Sequence, residues 1–560
     1  MAARNLIVGI DGADWDVIDA IGPKRLPTFA SLRARGAWAR MTSVLPFATL
    51  PNWTTFLTGV DPGAHGVFDF TQRDGYRVRF TSGSARAVPT MLARLDAMGL
   101  RCASLSFPGT YPPERLTNGL AISGWDSPVA FEADRSFVWP PAAFDAITKR
   151  FGRIRFDEVD EFDTDASRFH DTLGAALANK VDRDCALYEH LLADRSWDVF
   201  ACYFGETDTA AHHLFGCFDP RSPRHPSNVS EGAADGIPRV YEAMDRALAR
   251  LVAAAGEDTE LTVVSDHGSG ASSDKVLFVN RALEEAGLLA FRPKRLASHA
   301  TRMLKEAALT TLPARVKERA FMAMGRALPG WLESRARFGA IDMDRTQVFS
   351  EELNYFPSLT INLRGREPSG TVDPSELPAL RLRLEALARS LVDPWTGERV
   401  VHAIHARQDV YFGPHVDRAP DFVLELALDT TSRGGLASYN LMPSNGSGST
   451  WRRLAATEHL GRKGRSLPGS HRPRGVLLAS GKSVRACGEV TAHIDDASAT
   501  FLARMGVAVP EDASGRVLTE ILRGRMGPTT SLPNVTPTSF DARGDLAHTE
   551  ARLRALGYVD

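Results

Sequence analysis

The chain has 560 residues, 43% hydrophobic and 24% charged, with a formal net charge of -2. That length exceeds one minimal core, so one large domain with insertions or two domains are expected, and the near-zero charge supplies no basic face for a nucleic-acid partner. Five scattered cysteines (Cys102, Cys185, Cys202, Cys217 and Cys487) contain no CxxC pair and read as reduced thiols, not as a disulfide frame or a thiolate zinc site.

The first element, "NLIVGIDG", is an apolar run that begins almost at the N-terminus and ends on Asp11. It lacks the longer apolar stretch and cleavage site of a secretory signal, and no window reaches the roughly 18–20 apolar residues of a membrane span. A cytoplasmic chain without a transmembrane segment is expected. Next, "FATLPNWTTFLTG" (47–59) places Thr49 at the mouth of a helix, where it either caps that helix or offers its hydroxyl as a nucleophile. Asn52 in the same turn reads as a helix-start cap or a substrate contact. Trp53 reads as helix-face packing or a platform for an aromatic ligand.

Further along, "RCASLSFPG", "WDVFACYFGETD", "ELTVVSDHGSG" and "RGVLLASG" are short apolar runs that alternate with helical patterns. Near-continuous apolar strands separated by helices predict an α/β fold with a largely parallel central sheet flanked by helices. In such sheets ligands bind beyond the carboxyl ends of the strands. The functional residues are therefore expected just after each run.

From about 270 the pattern loosens. The basic amphipathic stretch 301–338 reads as helices of an inserted cap, with contact to an acidic membrane surface as the alternative. Arg364 and Arg366 in "INLRGREP" suit a distal phosphate or salt bridges within the cap. Residues 441–466 form a Gly/Ser-rich loop. The expected organisation is a first core part over 1–270, a cap or insertion over 271–430, a second core part over 431–525, and a Pro/Thr-rich tail with a short C-terminal helix over 526–560.

Five segments place metal-type ligands at strand ends: Asp11; Thr49; Asp208 and His212 in "TDTAAHH"; Asp266 and His267 in "SDHG"; and His471 in "PGSHRPRG". Imidazole nitrogen and carboxylate oxygen favour zinc, and manganese accepts the same ligands. A four-residue spacing at a helix start sets Asp208 and His212 on one face, to grip one ion with His471. Asp11, Asp266 and His267 would hold a second ion, with the Thr49 oxygen as a further ligand. Two divalent cations about 4 Å apart clamp both oxygens of an in-line phosphoryl displacement, and a cation lowers the pKa of an otherwise weak hydroxyl nucleophile. His213 reads as a neighbour of His212, and His459 as a rival to His471.

The order "GIDG", "TLPNWTTFLTG…HG", "TDTAAHH", "SDHG", "GSHRPRG" resembles the alkaline phosphatase superfamily, most nearly its type I phosphodiesterase/nucleotide pyrophosphatase family. The resemblance implies an alkaline-phosphatase-like core. It also implies a hydrolase of small phosphodiester or nucleotide-like pyrophosphate substrates, acting through a phospho-threonine on Thr49. Nucleotide pyrophosphatases carry an asparagine a few residues beyond the "HG" of the nucleophile segment. Here Asp69 and Phe70 occupy that neighbourhood as candidate substrate contacts. A sulfatase would need a Cys or Ser in C/S-x-P-x-R, which "ATLPNW" does not supply. A phosphomonoesterase, a phosphonate hydrolase or a phosphotransferase shares the ligand set. A metal-stabilised binding scaffold is the reading from another class, discriminated by whether Thr49→Ala abolishes hydrolysis.

Overall fold

The computed structural model describes residues 3–124, 133–155, 168–194, 196–293, 327–431, 433–444, 446, 448–461, 466–524, 529–533 and 535. The basic stretch expected to be helical therefore lies outside the described residues up to 326. Its last part forms a helix over Ala327–Phe338. The short helix expected at the C-terminus also lies outside them.

A nine-stranded sheet organises the core. Its strands are β1 (Ala3–Ile10), β2 (Ala37–Thr42), β3 (Cys102–Leu105), β4 (Leu120–Ile122), β5 (Val138–Trp139), β6 (Trp197–Phe204), β7 (Glu260–Val264), and, after a second-sheet strand β8 (Gly268–Leu277) and the short β9 (Gly469–Arg472), β10 (Arg474–Ser480) and β11 (Gly488–Glu489). Their spatial order is β11-β2-β10-β7-β1-β6-β3-β4-β5. β1 pairs in parallel with both β6 and β7, and β3 with β6 and β4. β10 runs antiparallel between β7 and β2. The result is a mixed α/β fold with a largely parallel large sheet.

The apolar runs are continuous because both faces of this sheet are covered, yet each strand still alternates. Leu6, Val8 and Ile10 of β1 enter one core layer together with Phe200, Cys202 and Phe204 of β6. That layer is completed by two helices, Phe169–Asp194 and Gly236–Ala255. Ile7, Val199, Ala201 and Tyr203 enter the opposite layer, under α1 (Thr49–Thr58) and the helix Ile494–Arg504. Each large side chain so buried contributes about 2–3 kcal/mol.

Residues between about 340 and 430 build a separate four-stranded antiparallel sheet from Val348–Phe349, Ser358–Ile361, Phe422–Leu426 and Val401–Ala406. Its core includes Leu359, Ile361, Leu380, Leu384 and Leu424. β8 joins this region to the rest: it pairs with Leu436–Leu441, with Trp451–Arg453 and with β9. No described helix is long and apolar enough to cross a membrane.

Candidate active site

The carboxyl ends of β1, β6 and β7 deliver the acidic groups. Asp11 follows β1, Asp208 stands in the first turn of α2 (Glu206–Phe218) after β6, and Asp266 and His267 follow β7. Two glycines explain how they come so close. Gly9 has no room for a Cβ, which would meet the Trp53 ring at 2.8 Å and Phe107 at 2.9 Å. Gly12 turns the chain at φ +63°, and a Cβ there would stand 3.0 Å from Asp208.

Trp53 is wholly buried against Phe56, Phe107 and Tyr203. Its indole N–H donates to Asp11 Oδ2 at 3.0 Å, and the Tyr203 hydroxyl donates to the same oxygen at 2.7 Å. Trp53 therefore orients a carboxylate. The Asp11 carbonyl accepts the Thr207 hydroxyl, and Gly12 N–H donates to Asp266 Oδ1 at 3.2 Å.

Three imidazoles meet these carboxylates in one pattern. His267 Nδ1 faces the Gly268 carbonyl at 3.0 Å and His471 Nδ1 the Phe47 carbonyl at 2.9 Å; His212 Nδ1 faces the Gly469 carbonyl at 3.3 Å. A carbonyl only accepts, so each Nδ1 carries the proton and each Nε2 presents a lone pair. Those lone pairs converge. His212 Nε2 and His471 Nε2 are 3.1 Å apart, at 3.3 and 3.6 Å from Asp208 Oδ1. His267 Nε2 lies 3.4 Å from Asp11 Oδ1, 3.2 Å from Asp266 Oδ2 and 3.5 Å from Thr49 Oγ1. Asp11 Oδ1 and Asp266 Oδ2 are buried and accept no hydrogen bond.

The electrostatics follow. Burial, with the Asp208 charge next, pushes the Asp11 carboxyl up to about 8, and burial with Asp11 and Asp208 pushes Asp266 well above the usual carboxylate range. Burial raises Asp208 too, but His212, His471 and His267 together pull it below that range. Burial holds His267 near 4 and His471 well below its ordinary value. Lone pairs and carboxylates that face each other out of water are costly unless positive charge sits among them. Two groups of ligand atoms have the spacing to hold a cation: Asp208, His212 and His471, and Asp11, Asp208 and His267. Asp208 is common to both groups, and imidazole with carboxylate is a donor set that suits a divalent cation.

The structure thus brings Asp11, Thr49, Asp208, His212, Asp266, His267 and His471 to one place. Thr49 is the first residue of α1, and the N-cap position belongs to Ala48, so Thr49 does not cap the helix. Asn52 is fully buried: Nδ2 donates to the Pro46 and Ala48 carbonyls, both at 2.9 Å, and Oδ1 accepts Val44 N–H at 2.8 Å. It clamps the loop before Thr49. Asp69 is buried with its carboxylate accepting the Thr71 hydroxyl. Burial raises it to about 6, and the charges acting on it are those of Arg337 and Glu351. The Phe70 carbonyl accepts Thr81 N–H.

Among the other candidates, His213 is buried and lies edge-on to Phe169. The His459 carbonyl accepts from Arg224. Arg366 pairs with Asp421 and Glu367 inside the cap. Sequence reasoning missed Tyr203 and Tyr355. Tyr203 sits inside a strand already read as core, at the right parity to share a face with Trp53. Tyr355, from "EELNYFPSL", packs on the His471 ring.

The sequence profile described as type I phosphodiesterase / nucleotide pyrophosphatase matches residues 5–435. No curated protein matches the chain. Among solved structures, murine ectonucleotide pyrophosphatase / phosphodiesterase 5 is similar at 13% identity and a TM-score of 0.45, covering 93% of this chain and 100% of that one. Its inactive variant in complex with AMP and the human protein are each similar at 12% identity, the same coverage and a TM-score of 0.45. Likeness at that level assigns neither substrate nor residue roles.

Proposed function

Because this chain belongs to the type I phosphodiesterase/nucleotide pyrophosphatase family, we propose that this phosphoric ester hydrolase cleaves phosphodiester or nucleotide-like pyrophosphate bonds through Thr49, beside a pair of divalent cations. One observation carries the reading: three Nε2 atoms and the buried, orphaned oxygens of Asp11 and Asp266 converge on one place. Asp208, His212 and His471 would hold one ion. Asp11, Asp266 and His267 would hold the other, with Thr49 Oγ1 as a further ligand. The imidazole and carboxylate donors favour zinc. Bound there, the cations supply positive charge for a weak hydroxyl nucleophile and for the phosphoryl oxygens.

The chain's own residues do the rest. Thr49 Oγ1 gives up its proton to solvent and attacks phosphorus, the Thr49 Oγ1–P bond forms as the P–O bond to the leaving group breaks, and the leaving oxygen takes up a proton from solvent. Water then attacks the phospho-threonine and restores the hydroxyl. α1 begins at Thr49 itself, so its free N–H groups and dipole favour the phosphoryl anion at that end. Trp53 and Tyr203 fix Asp11, and Asn52 fixes the loop that carries the nucleophile.

The test compares bis(4-nitrophenyl) phosphate, 4-nitrophenyl phosphate and a dinucleotide pyrophosphate, with wild type and Thr49→Ala. The variant should keep its zinc and lose turnover by more than about a hundredfold. Undiminished hydrolysis in Thr49→Ala sinks the nucleophile assignment. A strong preference for the mono-aryl ester sinks the diester assignment.

A further inference from the structure

His471 is held on both faces. Its ring stacks on His267 at 3.6 Å with 20° between planes, and on Tyr355 at 3.9 Å with 8° between planes. Two rings cannot share one face at those distances, so the imidazole is sandwiched. The Tyr355 hydroxyl reaches on to His212 Nδ1 at 3.3 Å, the nitrogen that also faces the Gly469 carbonyl. One phenol therefore touches two of the three imidazoles, His471 on the ring face opposite His267 and His212 at Nδ1, across the ring from the nitrogen near Asp208.

The connection that carries Tyr355, between Val348–Phe349 and Ser358–Ile361, is itself fixed, and by residues outside that sheet. Three positions earlier, Glu352 takes a left-handed conformation at φ 53° that a glutamate rarely adopts. Its carboxylate accepts the backbone N–H of Asn280 and of Ser444. Ser350 N–H donates to Asn280 Oδ1 at 2.7 Å, and Asn354 Oδ1 accepts Leu441 N–H at 2.9 Å. The segment 350–355 is thus pinned to the elements around β8, and a strained residue aims it.

We propose that Tyr355 is a positioning residue, contributed by the inserted region, that sets the orientation of His471 and His212 for a cation shared with Asp208. The inference rests on the cation reading above. An imidazole locked by an in-plane bond at Nδ1 and by rings on both faces loses little freedom when it ligates. Groups that orient a ligand in this way change metal affinity about 10–100-fold when removed. Tyr355→Phe keeps the stacked ring and removes the hydroxyl, with its contacts to His212 and to the Asn354 side chain. Tyr355→Met keeps most of the bulk and removes the stacked ring as well.

The experiment competes zinc-loaded full-length protein against a chromophoric chelator, and repeats it with His471→Ala. Tyr355→Met should release one of two zinc ions at about tenfold lower chelator, and Tyr355→Phe at a few-fold lower chelator. In the cobalt-substituted protein both variants should shift the visible bands, and kcat for bis(4-nitrophenyl) phosphate should fall with KM nearly unchanged. If both variants release zinc as wild type does, with unshifted bands, while His471→Ala loses one ion, the role of Tyr355 is overturned alone. If His471→Ala also releases zinc as wild type does, the cation reading falls, and this inference with it. Should Tyr355→Met not fold, Tyr355→Phe decides, and wild-type release with unshifted bands overturns the proposal.

Discussion

Replacing Asn52 by alanine separates two roles that the sequence leaves open, loop clamp and substrate contact. The side chain has no exposed surface and makes three good hydrogen bonds to residues 44–48. Each such bond contributes about 1 kcal/mol net, and a buried donor left without a partner costs a further 1–3 kcal/mol or so. The Pro46 carbonyl keeps Ala48 N–H, and the Ala48 carbonyl keeps Asn52 N–H, so Val44 N–H is the group left stranded. Val44 is half-buried, so the low end of that penalty applies and the loss comes to about 4 kcal/mol, large against a typical total of about 5–15 kcal/mol. Urea unfolding of the metal-free protein should show the loss as a lower midpoint at unchanged slope. Turnover should fall as well, because the clamped loop carries both Thr49 and the Phe47 carbonyl that orients His471. An unchanged midpoint with only a raised KM would refute the clamp and make Asn52 a substrate contact.

Further outcomes are expected elsewhere. Prolonged chelation should lower the thermal midpoint, and zinc should restore it in a concentration-dependent way, since an ion that binds only the folded state stabilises it by mass action. Gly12→Val should cost both stability and turnover, because a side chain at φ +63° would press on Asp208 at the first atom; wild-type values in both assays would contradict the close approach. Asp61 offers a pH signature, since burial raises its carboxyl to about 6 while Oδ1 accepts Gly63 N–H and Phe412 N–H. Its folded pKa lies above the unfolded value of about 4. The stabilisation is therefore complete below pH 4 and lost as pH rises through 6, up to about 3 kcal/mol. Asp61→Asn keeps the acceptor and removes the charge, so its stability should lack that decline between pH 4 and 6.

The strands that build the large sheet were legible because both faces are covered. Runs such as "LIVGI" and "VFACYF" are apolar throughout, as strands covered on both faces are, and their shortness and flanking turns favour strand over buried helix. The direction of β10 was not legible, because "RGVLLAS" reads alike parallel or antiparallel and only the long connection decides. Asp11, Asp208, Asp266, His267 and His471 stood out by residue type at strand ends. Their supporters did not. Trp53 and Tyr203 are ordinary core aromatics until the turn at Gly12 brings Asp11 within reach of an N–H and a hydroxyl. Asn52 was ambiguous because its partners are backbone groups, invisible to any side-chain pattern. Tyr355 belongs to a stretch without periodicity, and its position depends on how the inserted sheet docks beside β8.

The bond from His471 Nδ1 to the Phe47 carbonyl spans 424 positions of chain. Asp11, Thr49, Asp208 and Asp266 all leave the ribosome long before His471 does, so the acidic groups emerge into a site still lacking one of its imidazoles. Throughout that interval mutual repulsion among the carboxylates opposes closure of the sheet ends. The complete set of seven side chains can therefore assemble only late in synthesis. A chain interrupted just before β9 lacks His471, and with it β10 of the large sheet and the helix Ile494–Arg504, and in a ribosome-bound series of truncations the second of two zinc ions should be retained only once residue 471 has cleared the exit tunnel.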